Sequence, residues 1–402
     1  MTPDPLSAEK LMAHVRRLSD EIGPRPAGHR QEEAARQVIR QALQAAGLPT
    51  PAEQPLRAWD TWGYNLTAPP LLALAANLCG PMLGRTGYWL GGLLTLFGAS
   101  ELLKSTRTAP QWLERFYPKR PTANLIVRLM PQGDVRQRVV LVGHTDTNKA
   151  RPTFSPKRKR WLRATIRAGI GLLTLNGAAQ IGRALGSKKI APRIHWFSLG
   201  AIVSMLPILI QDERGDYIDG ANDNASAVAC LLGLGEALQT QPLQHTEVWL
   251  AFTAAEEVGC LGMRHLLQQY KTELKDAFFI DFEMVGCEHV AYVTQHKSLS
   301  FESYAPDEQS LALAKTVSRK HPHLQVRGRP MVIVEEVGTL RHNGYRGICL
   351  VGVGPDGWLE NWHQTTDDSA HLHPAGLERA ARFAHAMLHE LDQSARAGSA
   401  QA

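Results

Sequence analysis

The fold prediction starts from residues 139–146, which read Val-Val-Leu-Val-Gly-His-Thr-Asp. A short, continuously apolar run of this kind is typical of a strand that is buried on both faces. His144 and Asp146 follow this run directly. In α/β proteins, functional residues gather in the loops at the carboxyl ends of parallel strands. The stretch therefore predicts a buried strand that ends in a functional loop.

Four further segments have the same apolar character: residues 125–127, 248–252, 278–280 and 348–351. Apolar residues recur at helical spacing in residues 225–238 and 376–391, and two helices separated by the break at residues 23–28 open the chain. This alternation of strands and helices predicts an α/β fold with a mostly parallel central sheet flanked by helices.

Two apolar regions interrupt the pattern, at residues 61–107 and 151–211. Between residues 61 and 100 the only charged residue is Arg85, and residues 168–182 and 194–211 carry no Asp, Glu, Lys or Arg. We expect two inserted apolar helical hairpins. Their segments are near or below the roughly 20 residues that span a bilayer. One interpretation is that the hairpins form a membrane-embedded anchor. The other is that they are water-soluble and form a helical cap or an oligomerisation element. The sequence leaves both interpretations open.

The charge distribution and the cysteine content indicate where the protein is located and which ligands it is not expected to bind. Residues 151–193 hold 11 of the 44 Lys and Arg residues and no Asp or Glu, so the remainder is mildly acidic. Their placement beside the hairpins favours a cytoplasmic site, and no secretory signal is expected. The basic run at residues 157–160 lacks interleaved aromatic residues, so no nucleic-acid partner is expected. Five cysteines without a C-x-x-C pair suggest neither a disulfide framework nor a cysteine zinc site.

Acidic residues and histidines follow the predicted strands. Residues 223–226 (Asp-Asn-Ala-Ser) precede a helix and on their own are also typical of an N-cap. The adjacent carboxylates of Glu256 and Glu257 repel each other unless cations or protons compensate. Two histidines and several carboxylates without a thiolate suit two divalent ions, with zinc favoured and manganese or cobalt as alternatives. The candidate residues are His144, Asp146, Asp223, Glu256, Glu257, Glu283 and His363.

In this order, the motifs resemble the M28 family of zinc aminopeptidases and carboxypeptidases. Besides the residues above, Met-Val-Gly at 284–286 and the opening stretch 22–28 match the family's pattern. The resemblance covers residues 6–391 outside the two apolar regions. It implies the three-layer zinc exopeptidase fold, formed by residues 1–60, 108–150 and 212–392, with helical insertions at 61–107 and 151–211 and a disordered tail at 393–402.

The resemblance also implies the metal ligands. One ion would be bound by His144, Asp223 and Glu283. The other would be bound by Asp223, Glu257 and His363, so that Asp223 bridges the two ions.

The remaining roles follow from the same resemblance. Asp146 would hydrogen-bond His144 from behind, and Glu256 would be the general base that activates water. The family usually has Asp where this chain has Glu283, so Asp281 is an alternative ligand.

The expected activity is that of an exopeptidase, most simply an aminopeptidase that releases N-terminal residues from short peptides. Carboxypeptidase-like and glutaminyl-cyclase-like activities remain alternatives, as does a metal-free scaffold or receptor-like domain. A scaffold has no use for uncompensated acidic clusters, which argues against that last alternative. The second insertion lies between Asp146 and Asp223. We expect it to limit access to the site, and to contact a membrane if the hairpins are anchors. Oligomeric state does not follow from the sequence.

Overall fold

The computed structural model describes residues 4–397. Its strands are β1 (Ala52–Ala58), β2 (Arg120–Leu129), β3 (Gln137–His144), β4 (Thr246–Thr253), β5 (Phe278–Glu283), β6 (His289–Lys297), β7 (Ser303–Tyr304), β8 (Arg327–Val332) and β9 (Arg346–Val353). Its helices are α1 (Ala8–Ser19), α2 (Arg30–Ala45), α3 (Gly63–Ala76), α4 (Cys79–Ser105), α5 (Leu162–Ala184), α6 (Ile190–Glu213), α7 (Ser226–Thr240), α8 (Leu261–Gln269), α9 (Glu308–Lys320), α10 (Glu336–His342) and α11 (Pro374–Ala397).

The strands form one sheet in the order β1-β2-β4-β3-β5-β9-β6-β7, and β8 pairs with β6. Its four central strands, β4, β3, β5 and β9, are parallel. β2 joins β4 and β6 joins β9 in antiparallel orientation, and β1 is antiparallel to β2. The predicted α/β fold with a parallel centre is therefore confirmed, and the antiparallel strands lie toward both edges.

All five apolar segments predicted as strands lie within β2, β3, β4, β5 and β9. The apolar criterion missed the other four strands because they carry polar residues. β1 is an edge strand with Pro55 in its middle, and β8 exposes four of its six residues. Strands with one face in solvent lack the continuous apolarity that marks buried ones.

Side chains of the central strands alternate between two cores. In β3, Val139 and Leu141 point into the core formed with α1, α2, α7 and α11. Val140 and Val142 point into the opposite core, to which α8, α10 and the inserted helices contribute. Gly143 allows α7 to approach β3, because a Cβ there would lie 2.7 Å from that of Ala227. The three-layer arrangement follows from this division.

The predicted helices are present, with one correction at the carboxyl end. The segments predicted at residues 225–238 and 376–391 form α7 and α11. α11 continues to Ala397, so the disorder expected from residue 393 is wrong for residues 393–397. Residues 398–402 of that predicted tail lie outside the described residues. The helix extends because residues 393–397 (Gln-Ser-Ala-Arg-Ala) include good helix formers.

The two apolar regions form four helices that pack against one another. The first supplies α3 and α4, which meet at a bend of 96°, and the second supplies α5 and α6. Within the described residues, α6 is long and apolar enough to cross a membrane, and the bent pair α3–α4 passes the same test if taken as one span. Only 17% of the apolar window of α6 is buried inside the protein. The inserted helices therefore expose a largely apolar surface.

Candidate metal centre

The candidate ligands come from neighbouring loops at one edge of the sheet. His144 is the last residue of β3, and Glu283 is the last residue of β5. Glu257 follows β4, His363 follows β9, and Asp223 precedes α7. Since β4, β3, β5 and β9 are parallel, their carboxyl ends meet here. The structure thus brings together all five residues that were predicted as ligands.

The first group consists of His144, Asp223 and Glu283, whose ligand atoms all lie within 4.8 Å of one another. The Nε2 atom of His144 lies 3.2 Å from Oδ1 of Asp223 and 3.7 Å from Oε2 of Glu283. All three side chains are buried. One divalent ion coordinated by one nitrogen and two oxygen atoms suits such a group.

The second group shares Asp223 with the first and adds Glu257 and His363. The Nε2 atom of His363 lies 3.1 Å from Oε2 of Glu257 and 3.5 Å from Oδ2 of Asp223. The two oxygen atoms of Asp223 therefore face different histidines. A carboxylate in this position is able to bridge two ions.

Unsatisfied polar atoms support metal binding. Among the described residues, Nε2 of His144, both carboxylate oxygens of Asp223 and Oε1 of Glu257 are buried without a hydrogen-bond partner. Buried polar atoms are rarely left in this state, because each one costs roughly 1–3 kcal/mol. Cations bound between these atoms would satisfy all of them, so the residues fit a dinuclear centre.

The acid–base properties of the ligands agree with this fit. Burial raises the pKa of Glu257 to about 7 and that of Glu283 to about 8, because negative charges are costly in this enclosed position. Burial lowers the pKa of His363 to about 3, which leaves its imidazole neutral and able to coordinate. Burial would also lower the pKa of His144, but the carboxylates of Asp146, Asp223 and Glu283 outweigh it and raise that pKa.

Asp146 lies behind His144 in an arrangement that differs from the expected one. The Nδ1 atom of His144 lies 3.1 Å from the backbone carbonyl of Asp146, but 3.6 Å from its carboxylate, which is too long for a hydrogen bond. The carboxylate accepts the backbone N–H groups of Glu256 (3.0 Å) and Glu257 (3.2 Å) instead. The expected side-chain contact is therefore replaced by a backbone contact, and Asp146 positions the Glu-Glu loop.

Glu256 and Glu257 point in different directions. Glu257 faces the second ligand group, whereas Oε2 of Glu256 lies 3.9 Å from Nε2 of His144. The other oxygen of Glu256 accepts the thiol hydrogen of Cys260 at 3.1 Å. Glu256 also lines the cavity in front of both ligand groups, where a substrate would lie.

Asp281, the alternative to Glu283, is directed elsewhere. It belongs to a separate buried group with Glu335 and Cys349. Burial and the nearby Glu336 and Glu335 carboxyls raise the pKa of Asp281 well above its usual range. The geometry therefore places Glu283, and not Asp281, beside His144 and Asp223.

Comparison of sequences relates part of the chain to a known family. The model of peptidase family M28 matches residues 195–388, a range that includes Asp223, Glu257, Glu283 and His363. This part of the chain, slightly less than half of its length, is similar to peptidase family M28. Comparison with curated proteins gives no significant match.

Solved structures with a similar fold include two zinc-dependent peptidases and a glutaminyl cyclase. A zinc aminopeptidase from Bacillus subtilis superposes with a TM-score of 0.59 at 13% identity, over 96% of each chain. A glutaminyl cyclase from Porphyromonas gingivalis gives 0.56 at 15% identity, over 96% of this chain and 99% of that one. A Zn-dependent exopeptidase from Parabacteroides distasonis gives 0.54 at 14% identity, over 96% and 98%. At these identities the likeness establishes the fold.

Asn224 ties the loop of Asp223, the residue shared by both ligand groups, to the strand that carries Glu283. Its Nδ2 donates to the carbonyl of Phe282 (2.9 Å) and to Oε2 of Glu283 (3.3 Å). Its Oδ1 accepts from the backbone N–H of Met284 at 3.2 Å and of Ala227 at 3.3 Å. The Asp-Asn-Ala-Ser motif therefore caps α7 and positions a ligand from a different strand at the same time.

Ser226 and Asn222 strengthen the same connection. The hydroxyl of Ser226 donates to the carbonyl of Asn222 and accepts from the N–H of Val285. Oδ1 of Asn222 accepts from the N–H of Gly286 at 2.8 Å. The motif at 223–226 and the Met-Val-Gly motif at 284–286 are thus two sides of one hydrogen-bonded unit.

Two further residues at the site escaped the sequence analysis. Asp367 accepts the N–H groups of Asn222 (2.6 Å) and Asp223 (3.1 Å), and so holds the loop of Asp223. Asn148 donates to Oε2 of Glu257 at 2.8 Å. Asp367 is four residues from His363 and Asn148 is two from Asp146, so proximity to known motifs was the available signal.

The inserted helices cover the centre. The cavity in front of the ligands has an empty volume of about 480 Å³ and is lined by Trp62, Ser105, Thr108 and Phe154, which lie in or beside the insertions, as well as by the ligands. The ring of Phe154 packs against His363 with centroids 4.6 Å apart. The insertions therefore form part of the wall that a substrate meets.

Proposed function

We propose that this protein is an M28 aminopeptidase with two divalent metal ions, most simply zinc, that releases N-terminal residues from short peptides. The observation that carries the proposal is the pair of ligand groups that share Asp223. Two complete groups of histidine and carboxylate ligands, with a further carboxylate at Glu256, supply what metal-assisted hydrolysis of an amide needs.

The ligand assignment is part of this proposal. His144, Asp223 and Glu283 would hold one ion, and Asp223, Glu257 and His363 the other. Bound in these positions, divalent ions supply a Lewis acid that polarises the scissile carbonyl and makes water more acidic. Asp146 and Asn224 keep the ligands in place through the backbone contacts described above.

Glu256 is the proposed general base. It lines the cavity without belonging to either ligand group, so its carboxylate is free to accept a proton from the attacking water. The same carboxyl would then donate that proton to the leaving amine. Burial raises the pKa of Glu256, which favours the return of the proton in the second step.

The covered entrance supports a preference for short peptides. Trp62 and Phe154 stand beside the ligands, and Phe154 contacts His363 directly. A long folded polypeptide would have to displace these groups, whereas a free chain end would fit between them. Hydrolysis rates of an unstructured peptide series of increasing length are expected to fall beyond the shortest members.

The decisive experiment combines metal analysis with assays on free and N-acetylated peptides. The proposal expects two bound ions per chain, cleavage of free peptides and none of blocked ones. Glu256→Gln should retain both ions and lose about 10²–10⁴-fold in kcat. Cleavage of blocked peptides alone would reject the aminopeptidase activity, and full activity in Glu256→Gln would reject the proposed base.

A glutaminyl-cyclase-like activity is the second candidate, favoured by the similarity of the fold to a glutaminyl cyclase from Porphyromonas gingivalis. Mass spectrometry separates the two activities on a peptide with N-terminal glutamine. Cyclisation releases ammonia and leaves the peptide chain intact, whereas an aminopeptidase releases free glutamine. A carboxypeptidase-like enzyme would instead shorten the same peptide from its other end.

We also propose that the inserted helices contact a membrane on its cytoplasmic side. The support is the outer surface of α6 and its neighbours, which exposes Met82, Ile190, Trp196 and Phe197 by more than half of each side chain. A patch of this kind is uncommon on soluble monomers. Alkaline carbonate extraction of cell membranes tests the proposal: an embedded chain stays in the pellet, and release into the supernatant would contradict embedding.

A further inference from the structure

A second cavity lies among the inserted helices, beside the metal centre. It contains about 750 Å³ of empty space, including its mouth. Helices α3, α4, α5 and α6 all contribute to its walls. The wall is predominantly aliphatic, with side chains such as Leu66, Leu102, Leu162, Ile166, Leu173 and Ile202.

The polar groups at this wall leave little to recognise a polar ligand. The carboxylate of Asp212 accepts both the backbone N–H (3.2 Å) and the hydroxyl (2.6 Å) of Thr153. Each of its two oxygens therefore already accepts a hydrogen bond from within the protein. The remaining wall offers van der Waals contact and exclusion of water, which suit an apolar ligand.

The cavity shares part of its wall with the metal centre. Trp62 and Phe154 line both cavities. Their ring centroids are 6.4 Å apart, and that of Phe154 lies 4.6 Å from that of His363. A molecule that reacts at the metals and extends beside these rings would enter the space between the helices.

A glycine contributes to the width of this space. A Cβ at Gly169 of α5 would lie 3.5 Å from Met205 and 3.8 Å from Leu102, both of which line the cavity. These are ordinary contact distances, so a side chain at this position would project into the cavity without disturbing the helix. Two residues further on, Gly171 is exposed and has nothing within 4 Å of such a Cβ.

We infer that this cavity binds an unbranched hydrocarbon chain of the substrate while the scissile amide lies at the metal centre. The preferred substrates are then amphiphilic amino-acid or peptide amides, and the inference rests on the proposed hydrolase activity. Hydrolysis adds one water across the amide C–N bond, giving a carboxylic acid and an amine, and needs no other reactant. The apolar outer surface of the same helices would let such substrates arrive from a lipid phase.

The test uses two series of substrates, with the full chain held in amphipol. One series consists of leucine N-alkylamides from ethyl to decyl, and the other of peptides whose N-terminal side chain is lengthened in the same steps. Each methylene that enters the cavity is expected to lower KM about fourfold, until the cavity is full. A rise of kcat/KM with chain length in either series supports the inference, and flat profiles in both overturn it.

Two matched variants locate the effect. Gly169→Leu places a side chain in the cavity, and Gly171→Leu places the same side chain on the exposed face of the same helix. The ratio of kcat/KM for the decyl and ethyl substrates should collapse toward one in Gly169→Leu and stay at the wild-type value in Gly171→Leu. An unchanged ratio in Gly169→Leu would place the chain elsewhere and overturn the inference.

A binding measurement separates this inference from the proposed hydrolase activity. In calorimetric titrations, the wild type and Gly171→Leu should bind 1-decanol with similar affinity. The affinity of Gly169→Leu for 1-decanol should be at least tenfold lower. If no substrate is hydrolysed but this pattern holds, the cavity binds an apolar chain and the proposed activity fails. If peptides are hydrolysed while decanol binds all three proteins equally, the activity stands and the cavity inference is overturned.

Discussion

Asn224→Ala tests whether the residue beside the bridging ligand positions the metal centre. Asn224 is fully buried, and its side chain joins α7 to the end of β5 through five hydrogen bonds. Alanine keeps the backbone and removes all five. We expect Glu283 to lose a contact that orients its carboxylate toward His144, and the ion in the first ligand group to bind more weakly.

The size of the effect follows from the groups that lose their partner. The buried N–H of Met284 would lose its side-chain acceptor, which costs about 1–3 kcal/mol. The N–H of Ala227 in the first turn of α7 would lose its cap, which costs about 0.5–2 kcal/mol. Together these losses predict a decrease of about 1.5–5 kcal/mol in the free energy of unfolding. Loss of a group that orients a ligand predicts a metal affinity about 10–100-fold lower.

The two effects are measured separately. Urea unfolding of the chelated protein reports stability without the contribution of metal binding, and competition with a zinc indicator reports affinity. Asn343→Ala is the matched control, because Asn343 is exposed and its side chain makes one hydrogen bond, to the carbonyl of Thr339. The control should stay within about 0.5 kcal/mol of the wild type. Wild-type stability and zinc affinity in Asn224→Ala would refute the positioning role.

Three further predictions concern the same centre. Asp223→Asn should bind neither ion firmly and lose about 10³-fold or more in kcat/KM, since it weakens both ligand groups at once; retention of two ions, measured by elemental analysis, would contradict the bridge. Asp367→Ala should lower zinc affinity about 10–100-fold by releasing the N–H groups of Asn222 and Asp223, whereas alanine at the adjacent, less buried Asp368 should leave it unchanged. Removal of the ions by a chelator should lower the midpoint of thermal unfolding in calorimetry, because the carboxylates of Asp223, Glu257 and Glu283 then repel one another. Added zinc should restore the midpoint. An unchanged midpoint would mean that the ions contribute nothing to stability.

The central sheet was predictable because its strands are buried on both faces. β3, β4, β5 and β9 carry continuous apolar runs, so their sequences differ clearly from those of helices and loops. The ligands follow these strands closely, which made the shared edge predictable as well. The edge strands were not found, since β1 and β8 are partly solvent-exposed and lack that signal.

The contacts that support the ligands were less accessible from the sequence. The choice between Glu283 and Asp281 depends on where two residues of the same strand lie relative to His144, which no spacing rule reveals. The hydrogen bond from His144 to the backbone of Asp146 has no side-chain signature at all. Residues such as Asn224 and Asp367 act through backbone N–H groups, and that role is compatible with many local sequences.

The location of the centre explains why its ligands need such support. The side chains of Asp223, Glu257 and Glu283 are only 2–7% exposed, and burial raises the pKa of each of them. Without cations, these carboxylates would either keep a proton or drift apart to reduce their repulsion. The hydrogen bonds from Asn148 to Glu257, from Asn224 to Glu283 and from the loop of Asp223 to Asp367 oppose that movement. Part of the free energy of folding is thus used to hold these carboxylates close together. The proposed divalent ions would meet a preformed site, and their affinity would depend on residues that never touch them.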